Sequence, residues 1–141
     1  EAAAREDLVA EPVSFLQADA AALPLAADSV SLALSVATVH HLSDRETRIR
    51  SLGELGRVLE STGTALVSAW STAHDRFEDA EAGDETGFDT TIGWTLPGGE
   101  TVPRFYHIYA PAEFDADLER AGLEVLDNYV SSGNCYAEVR A

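Results

Sequence analysis

Two apolar runs separated by one amphipathic segment constrain the fold more than any other feature of this sequence. The runs are 30–36 and 64–70, and each has the length and nearly continuous apolar character of a strand buried on both faces. Between them, Ser43 followed by Glu46 predicts a capping box at a helix start, and Gly63 is expected to end that helix. A strand–helix–strand unit predicts two parallel neighbouring strands.

Further elements are predicted on both sides of this unit. They are the tail of a helix at 1–9, a short strand at 13–17, a helix from Pro111 to Gly122, and strands near 123–130 and 134–140. The last two strands are expected to form a hairpin. The order of elements predicts an α/β fold with a mostly parallel sheet and an antiparallel final strand.

Residues 71–103 lose the periodicity of the rest of the chain. The stretch carries the sequences EDAEAGDE and LPGGE, which contain no apolar repeat. A structureless segment of this length inside a compact domain is usually functional or mobile. We therefore expect a long loop or insertion here, within a single domain of residues 1–141.

The charge of the chain indicates its solvent rather than its activity. Aspartate and glutamate number 25 against nine cations, all arginine, which gives a net charge of -16. Molar salt shortens the Debye length to about 3 Å and screens the self-repulsion of such a chain. We expect a halophilic, cytoplasmic protein; an ordinary acidic protein is the alternative. No apolar run reaches the roughly 20 residues of a membrane span, so no membrane contact is expected.

Several short motifs follow one another in the first half of the chain. They are Asp19-Ala20, Leu23-Pro24-Leu25, His40-His41 and Arg57-Val58-Leu59. This run resembles the class I S-adenosylmethionine-dependent methyltransferases, and the resemblance implies a Rossmann-like sheet. The sequence departs from that family at Val30-Ser31, where a Phe-Asp pair is usual, and at Ser61-Thr62-Gly63, where Pro-Gly-Gly is usual.

Two elements of that family are not found in this sequence. The Gly-rich turn of such enzymes is absent before residue 13. The acidic residue that holds the ribose hydroxyls in such enzymes is absent there too. The resemblance therefore implies the C-terminal portion of a methyltransferase domain. Whether residue 1 is a natural start is left open.

The resemblance also implies an S-adenosylmethionine site at the carboxyl ends of the strands. The Asp19 carboxylate is expected to accept a hydrogen bond from the adenine amino group, and the Ala20 N–H to donate to the ring. Ser35, Val36 and His40 are expected to line the same pocket. A turn-forming role is the alternative for Asp19.

The adjacent histidines His40 and His41 do not favour a metal site. Neighbouring residues do not easily share one zinc ion, and no third ligand stands at a useful spacing. One imidazole is expected to line the cofactor pocket, with His40 favoured over His41. A purely structural pair is the alternative.

A second motif lies in the last third of the chain. It consists of Arg104-Phe105-Tyr106-His107 and Gly133-Asn134-Cys135-Tyr136. The motif is similar to the family that methylates the carboxymethyl group of the wobble uridine in tRNA. The resemblance implies Arg104, Tyr106 and His107 as catalytic residues, and Arg104 with Asn134 as substrate-binding residues. A strand with buried aromatic side chains and a surface arginine is the alternative.

These resemblances predict a methyltransferase that acts on a modified wobble uridine in tRNA with a small zinc-ribbon activator protein as partner. A small-molecule methyltransferase with a quinone-like acceptor, or a truncated remnant that acts as a binding module, are the alternatives. Arg45, Arg48 and Arg50 either contact tRNA phosphates or form a solvated helix face. The sheet edge beside residues 30–36 is expected to be exposed and to support a dimer.

Overall fold

The computed structural model describes residues 13–77 and 85–141. The helix tail expected at residues 1–9 lies outside the described residues. In the part of the chain that is described, no helix is long and apolar enough to cross a membrane.

Six strands and two helices make up the described chain. In chain order they are β1 (Val30–Val36), α1 (Arg45–Val58), β2 (Leu59–Trp70), β3 (Phe88–Thr95), β4 (Thr101–Ile108), α2 (Pro111–Arg120), β5 (Glu124–Ser131) and β6 (Asn134–Arg140). Short 3-10 turns lie at Val39–His41 and Asp75–Phe77. The helix expected at Pro111 and the two final strands are confirmed.

Four of the strands form one sheet in the order β1-β2-β6-β5. The strands β1 and β2 pair in parallel, from Leu32 opposite Thr64 to Val36 opposite Ser68, as the sequence predicted. The final strand β6 is antiparallel to both of its neighbours, β2 and β5. The α/β fold and the antiparallel final strand are confirmed. The sheet is mixed rather than mostly parallel as predicted, because β6 inserts between β2 and β5 and makes two of the three strand pairings antiparallel.

The start of α1 differs from the predicted capping box by one residue. Asp44, not Ser43, is the N-cap, and its Oδ2 accepts a hydrogen bond from the Thr47 N–H at 3.1 Å. A carboxylate at this position binds the otherwise unpaired N–H groups and also interacts favourably with the positive end of the helix dipole.

Gly63 does not end the helix, contrary to the prediction. The helix ends at Val58, and β2 begins directly at Leu59. A Cβ at Gly63 would lie 2.8 Å from the Val30 carbonyl oxygen, so the close approach of β1 requires glycine here. The glycine is a feature of strand pairing, at the irregularity in the β1–β2 register between Val30 and Leu32.

Two other expectations are wrong. Residues 13–17 form no strand, and Phe15 is 93% exposed. A strand needs a neighbour for its N–H and C=O groups, and no described strand lies beside this segment. The expected loop at 71–103 instead contains β3 and the start of β4, which pair as an antiparallel hairpin. Its turn is the LPGGE sequence, where the Leu96 N–H donates to the Glu100 carbonyl at 2.7 Å.

The core lies between the middle of the sheet and the two helices. Its buried side chains include Leu52, Leu55, Val67, Ala69, Phe114, Leu118, Ala137 and Val139. In contrast, one face of β1 is open: Leu32, Leu34 and Val36 are 66%, 69% and 54% exposed. Within the described residues β1 has a strand neighbour on one edge only.

Candidate functional site

The carboxyl ends of β1 and β2 meet at one edge of the sheet, where ligands bind in open parallel sheets. The chain turns sharply there, because Ala37 has a φ of 51°. The Ala37 N–H donates to the Ser68 carbonyl at 3.1 Å, which fixes the turn to β2. A left-handed conformation at a residue other than glycine is strained, and such strain is often found at binding sites.

A small cavity of about 170 Å³ opens beside the carboxyl end of β1. Its lining consists of Ala20, Leu23, Leu34, Ser35, Thr38, Ser51 and Leu55. The structure therefore brings together Ala20 and Ser35, two of the five residues predicted to bind the cofactor. Apolar walls with a few hydroxyl groups suit a flat heteroaromatic ring.

The segment carrying Asp19 and Ala20 is held against α1 by charged side chains. Glu54 accepts from the Leu23 N–H at 2.8 Å, and Arg57 donates to the Leu23 carbonyl at 3.0 Å. Hydrogen bonds from Arg57 and from the Leu23 N–H lower the pKa of Glu54 to about 2, so the Glu54 carboxylate stays charged. The side of the cavity formed by this segment is thus fixed to the helix.

Asp19 shapes the turn and also keeps one carboxylate oxygen available. Its Oδ1 accepts from the Ala21 N–H at 2.8 Å, and its carbonyl accepts from the Ala22 N–H at 3.0 Å. The Oδ2 atom has no hydrogen-bond partner among the described residues. The turn role and the expected ligand role therefore use different oxygens of the same side chain. The Val36 side chain is not part of the cavity lining and is 54% exposed.

His40 lies apart from this cavity, in the protein interior. It is 1% exposed, and its Nδ1 accepts from the Trp70 N–H at 2.9 Å. Burial, together with the neighbouring rings of His41 and His107, lowers the pKa of His40 to about 4. A neutral, buried, hydrogen-bonded imidazole favours the structural alternative for this residue over the predicted role in the cofactor pocket.

An aromatic cluster lies at the carboxyl end of β2. It consists of His40, His41, Trp70, His74 and Tyr106. The rings of Trp70 and Tyr106 stack with centroids 4.9 Å apart, and His41 contacts Tyr106 at 4.5 Å. The ring of His74 also contacts Trp70, with centroids 5.5 Å apart. The sequence predictions missed Trp70 and His74. Trp70 could have been found, because an aromatic residue ends the buried run 64–70, at the edge of the sheet where ligands bind.

Backbone hydrogen bonds place β4 against this cluster. The Tyr109 N–H donates to the Trp70 carbonyl at 2.9 Å, and the Thr72 N–H donates to the Tyr109 carbonyl at 2.9 Å. His41 donates from Nδ1 to the Phe105 carbonyl at 3.1 Å. The end of the hairpin is thus joined to the end of the main sheet, and Tyr106 is held beside Trp70.

His107 points to the opposite face of β4 from Tyr106, because successive strand residues alternate. Its Nδ1 lies 2.7 Å from Asp89 Oδ1, and its Nε2 lies 3.1 Å from Glu113 Oε2. Burial raises the pKa of Glu113, but hydrogen bonds from His107 and from the Gly87 N–H outweigh burial and hold this pKa below its ordinary value. His107 therefore links β3 and β4 to α2 and does not join the aromatic cluster.

Arg45 and Arg48 make their polar contacts to other parts of the same chain. Arg45 Nε donates to Asp117 Oδ1 at 2.8 Å. Arg48 is 3% exposed, donates to the Leu42 carbonyl at 3.2 Å, and has an amino group 3.9 Å from Glu113. These contacts attach α1 to α2. Neither alternative for this arginine run, phosphate contact or a solvated face, describes the buried Arg48, whereas Arg45 is 42% exposed and Arg50 is exposed, as on a solvated face.

Two further predicted residues belong neither to the cavity lining nor to the aromatic cluster, although Asn134 pairs with Trp70 across the strands. The exposed guanidinium of Arg104 lies over the ring of Trp94, with 4.5 Å between Cζ and the ring centroid. Asn134 donates from Nδ2 to the Ser132 carbonyl at 3.0 Å. Across residues 13–77 and 85–141, no group of three histidine, cysteine or acidic side chains is arranged to hold a metal ion.

Comparison with known proteins identifies related sequences. The methyltransferase domain family matches residues 1–67. A protein of Encephalitozoon cuniculi named as a methyltransferase is 31% identical over 126 residues, covering 87% of this chain and 58% of that protein. The tRNA (carboxymethyluridine(34)-5-O)-methyltransferase of Saccharomyces cerevisiae is 29% identical over 93 residues, covering 64% of this chain and 32% of that protein. The chain thus spans between a third and three fifths of these relatives.

Solved structures share the architecture at low identity. A S-adenosylmethionine-dependent methyltransferase from Clostridium acetobutylicum matches with a TM-score of 0.66 and 10% identity, over 87% of this chain and 62% of that chain. The complex of the Haloferax volcanii Trm112 methyltransferase activator with a methyltransferase matches with a TM-score of 0.60 and 15% identity, over 90% of this chain and 60% of that chain. The chain therefore has the fold of the S-adenosylmethionine-dependent methyltransferases, and its predicted resemblance to that class is confirmed.

Proposed function

We propose that this chain is the acceptor-binding part of an S-adenosylmethionine-dependent methyltransferase that acts on the carboxymethyl group of a modified wobble uridine in tRNA. The observation that carries the proposal is the aromatic cluster, in which Tyr106 of the second sequence motif stacks on Trp70 at the carboxyl end of β2. The tRNA substrate is suggested by the names of several relatives, among them the Saccharomyces cerevisiae enzyme.

The residues present fit the adenine end of S-adenosylmethionine. The cavity beside Ala20 and Ser35 has the apolar walls that an adenine ring prefers. The Asp19 Oδ2 atom is available to accept from an amino group, as the resemblance implied. When bound, the cofactor supplies an electrophilic methyl group. The described residues that fit it lie at the carboxyl end of β1, the strand that pairs with β2.

The chemistry asked of the protein is mainly positioning. A carboxylate acceptor already carries a nucleophilic oxygen, so its methylation requires no general base. The group of rings at the end of β2 is largely buried and excludes water, and its half-buried members Trp70, His41 and His74 supply the ring surface proposed for a uracil ring. We assign substrate contact to Tyr106, and to Arg104 as a donor of paired hydrogen bonds to a carboxylate or phosphate. His107 acts through β4, as a positioning residue.

We also propose a zinc-ribbon activator as partner and a salty cytoplasm as location. The first rests on the structural match to the Haloferax volcanii complex with the Trm112 activator. The second rests on the net charge of -16, which high salt would screen. Asn134 begins β6 directly opposite Trp70 and is proposed to contact the acceptor nucleotide there.

Methyl transfer by the full-length protein tests the proposed function. The protein is incubated in molar salt with labelled S-adenosylmethionine, with and without the activator, and with tRNA that carries either carboxymethyluridine or unmodified uridine at the wobble position. We expect label to enter only the modified tRNA and to be released as methanol by mild alkali, as from an ester. Label in a small quinone-like acceptor but not in tRNA would contradict the proposal.

A further inference from the structure

The β3–β4 hairpin extends one side-chain face outward from the aromatic cluster. Cross-strand partners share a face, and residues two apart along a strand do too. Tyr106, Arg104 and Trp94 therefore lie on one face of the hairpin, with Tyr106 at its inner end. Tyr106 and Arg104 are about 7 Å apart along the strand. The face is continuous from the aromatic cluster to the outer end of the hairpin.

Trp94 and Arg104 form a single exposed unit on this face. The guanidinium lies over the indole at 4.5 Å, and Trp94 is 46% exposed. A cation held over an aromatic ring at this distance is stabilised by the ring electrons. The contact limits the rotamers of a long side chain, so Arg104 is held in place before any ligand arrives.

The charge of Arg104 is not neutralised by a neighbour within the described residues. Arg45, Arg48, Arg57, Arg120 and Arg140 each lie within 4.0 Å of a carboxylate there, whereas Arg104, like Arg50 and Arg76, has no such partner among the described residues. Trp94 and the nearby Leu96 are 46% and 36% exposed, so the uncompensated cation lies beside open apolar surface.

We propose that Trp94 and Arg104 together bind an unpaired nucleotide of the RNA substrate that adjoins the target nucleotide. The indole stacks on the base, and the guanidinium donates to a phosphate. This inference rests on the proposed function, because the target nucleotide is placed at Tyr106. Unpaired RNA presents free base faces beside phosphates, which is the combination that this pair of side chains fits. Duplex RNA does not present free base faces, because its bases are already stacked on one another.

A contact of this kind resolves a conflict between charge and substrate. A strongly acidic protein repels a polyanion, and molar salt removes that repulsion but also weakens phosphate contacts. Base stacking on an aromatic ring depends little on salt, so the Trp94 half of the contact persists where the Arg104 half is weakened.

Binding of the full-length protein to an anticodon stem-loop RNA tests this inference. The variants are Trp94→Ala, Trp94→Phe and Arg104→Gln, and the matched control is Thr91→Ala, an exposed change on the opposite face of β3. The affinity of each is measured over a series of salt concentrations. A duplex of the same stem with no loop serves as the second RNA.

We expect Trp94→Ala to weaken loop binding about tenfold, and Trp94→Phe to weaken it less. Arg104→Gln should weaken binding and also reduce the slope of log affinity against log salt by about 0.7, the value for one phosphate contact on a single strand. Duplex binding should be equally weak for all variants. A merely structural role of the pair would not change the salt slope.

The inference would be overturned if Trp94→Ala and Arg104→Gln each reduced the affinity for the loop RNA by no more than about twofold, the same as the control Thr91→Ala. Methyl transfer by the wild type is measured in parallel on modified tRNA. If transfer occurs and the Trp94 variants bind normally, the RNA contact is wrong and the proposed function stands. If transfer fails but loop binding depends on Trp94 and Arg104, the RNA contact stands and the proposed acceptor is wrong.

Discussion

The rings of Trp70 and Tyr106 stack with their centroids 4.9 Å apart and their planes 15° from parallel. Trp70 ends β2 and Tyr106 lies in β4, so this contact joins the main sheet to the hairpin. Tyr106 is 4% exposed and also contacts His40 and His41. The pair is therefore both a packing contact and the centre of the proposed acceptor site.

Removing the Tyr106 ring should destabilise the protein strongly. Tyr106→Ala leaves a cavity beside Trp70, and we expect a loss of about 3 to 5 kcal/mol in the free energy of unfolding. Urea denaturation in molar salt measures it. The matched control is Tyr129→Ala, because Tyr129 stacks on Tyr136 at 5.1 Å but is 51% exposed. That change should cost about 1 kcal/mol. Equal losses would show that the ring of Tyr106 is not packed as described.

Protonation of His40 should destabilise the folded state on the acid side of neutral pH. Its pKa is lowered from 6.5 to about 4, so the folded protein binds fewer protons than the unfolded chain between these values. The contribution of neutral His40 to the free energy of unfolding is fully present above about pH 6.5. It is lost as the pH falls towards 4, by about 3 kcal/mol.

Urea denaturation at several pH values checks the His40 prediction. The control variant His40→Asn keeps an acceptor for the Trp70 N–H but does not titrate. The difference in unfolding free energy between wild type and variant should change between pH 4 and 6.5 and be constant above that range. A constant difference throughout would mean that His40 is protonated equally easily in both states.

Removing the Glu113 carboxylate should cost more than removing an exposed one. Glu113→Ala leaves Arg48, whose side chain is 4% exposed, without its nearby negative charge and removes the acceptor of the Gly87 N–H. We expect a loss of about 3 to 5 kcal/mol, as for other broken buried pairs. Glu124→Ala is the control, since Glu124 pairs with Arg140 at an exposed site, and its effect should be small. Thermal unfolding of the two variants side by side is the measurement.

Asp19 should contribute to cofactor affinity in the full-length protein. Asp19→Ala removes a charge-assisted hydrogen bond to the adenine amino group, and we expect binding to weaken by about 1.5 to 3 kcal/mol. Calorimetric titration with S-adenosylmethionine in molar salt measures the effect. Asp19→Asn retains an oxygen for the Ala21 N–H and separates the turn from the ligand contact. Unchanged affinity in Asp19→Ala would leave Asp19 with the turn role alone.

The isolated 141-residue chain should bind S-adenosylmethionine weakly and should self-associate. The apolar face of β1, with Leu34 69% exposed, and a β1 edge that has no strand partner among the described residues favour contact with another strand. Sedimentation of the wild type and of Leu34→Lys in molar salt tests the association, which the charge should reduce. A monomer that binds the cofactor at low micromolar concentration would contradict both expectations.

The sequence by itself determined the elements whose signals are local. The apolar runs at 30–36 and 64–70, and the helix from Pro111 to the left-handed Gly122, depend on periodicity and terminal residues, and all three are confirmed. The order of these elements was sufficient to predict a parallel pair and an antiparallel final strand.

Only the tertiary structure decided which side chains meet. The local sequence predicted that Gly63 ends the helix. In the structure a Cβ at this position would lie 2.8 Å from the Val30 carbonyl oxygen, so the glycine allows β1 to approach β2. The segment around LPGGE was predicted to be a loop, because the pairing of β3 with β4 does not show in the sequence of either strand alone. His40 and His107, grouped by motif with the ligand residues, are bonded to Trp70 and to Asp89 and Glu113. The Trp70 partner of His40 is 30 residues away in the chain, and the Asp89 partner of His107 is 18 residues away. Hydrogen bonds between such distant residues do not show in sequence periodicity, because they form only when the elements pack together.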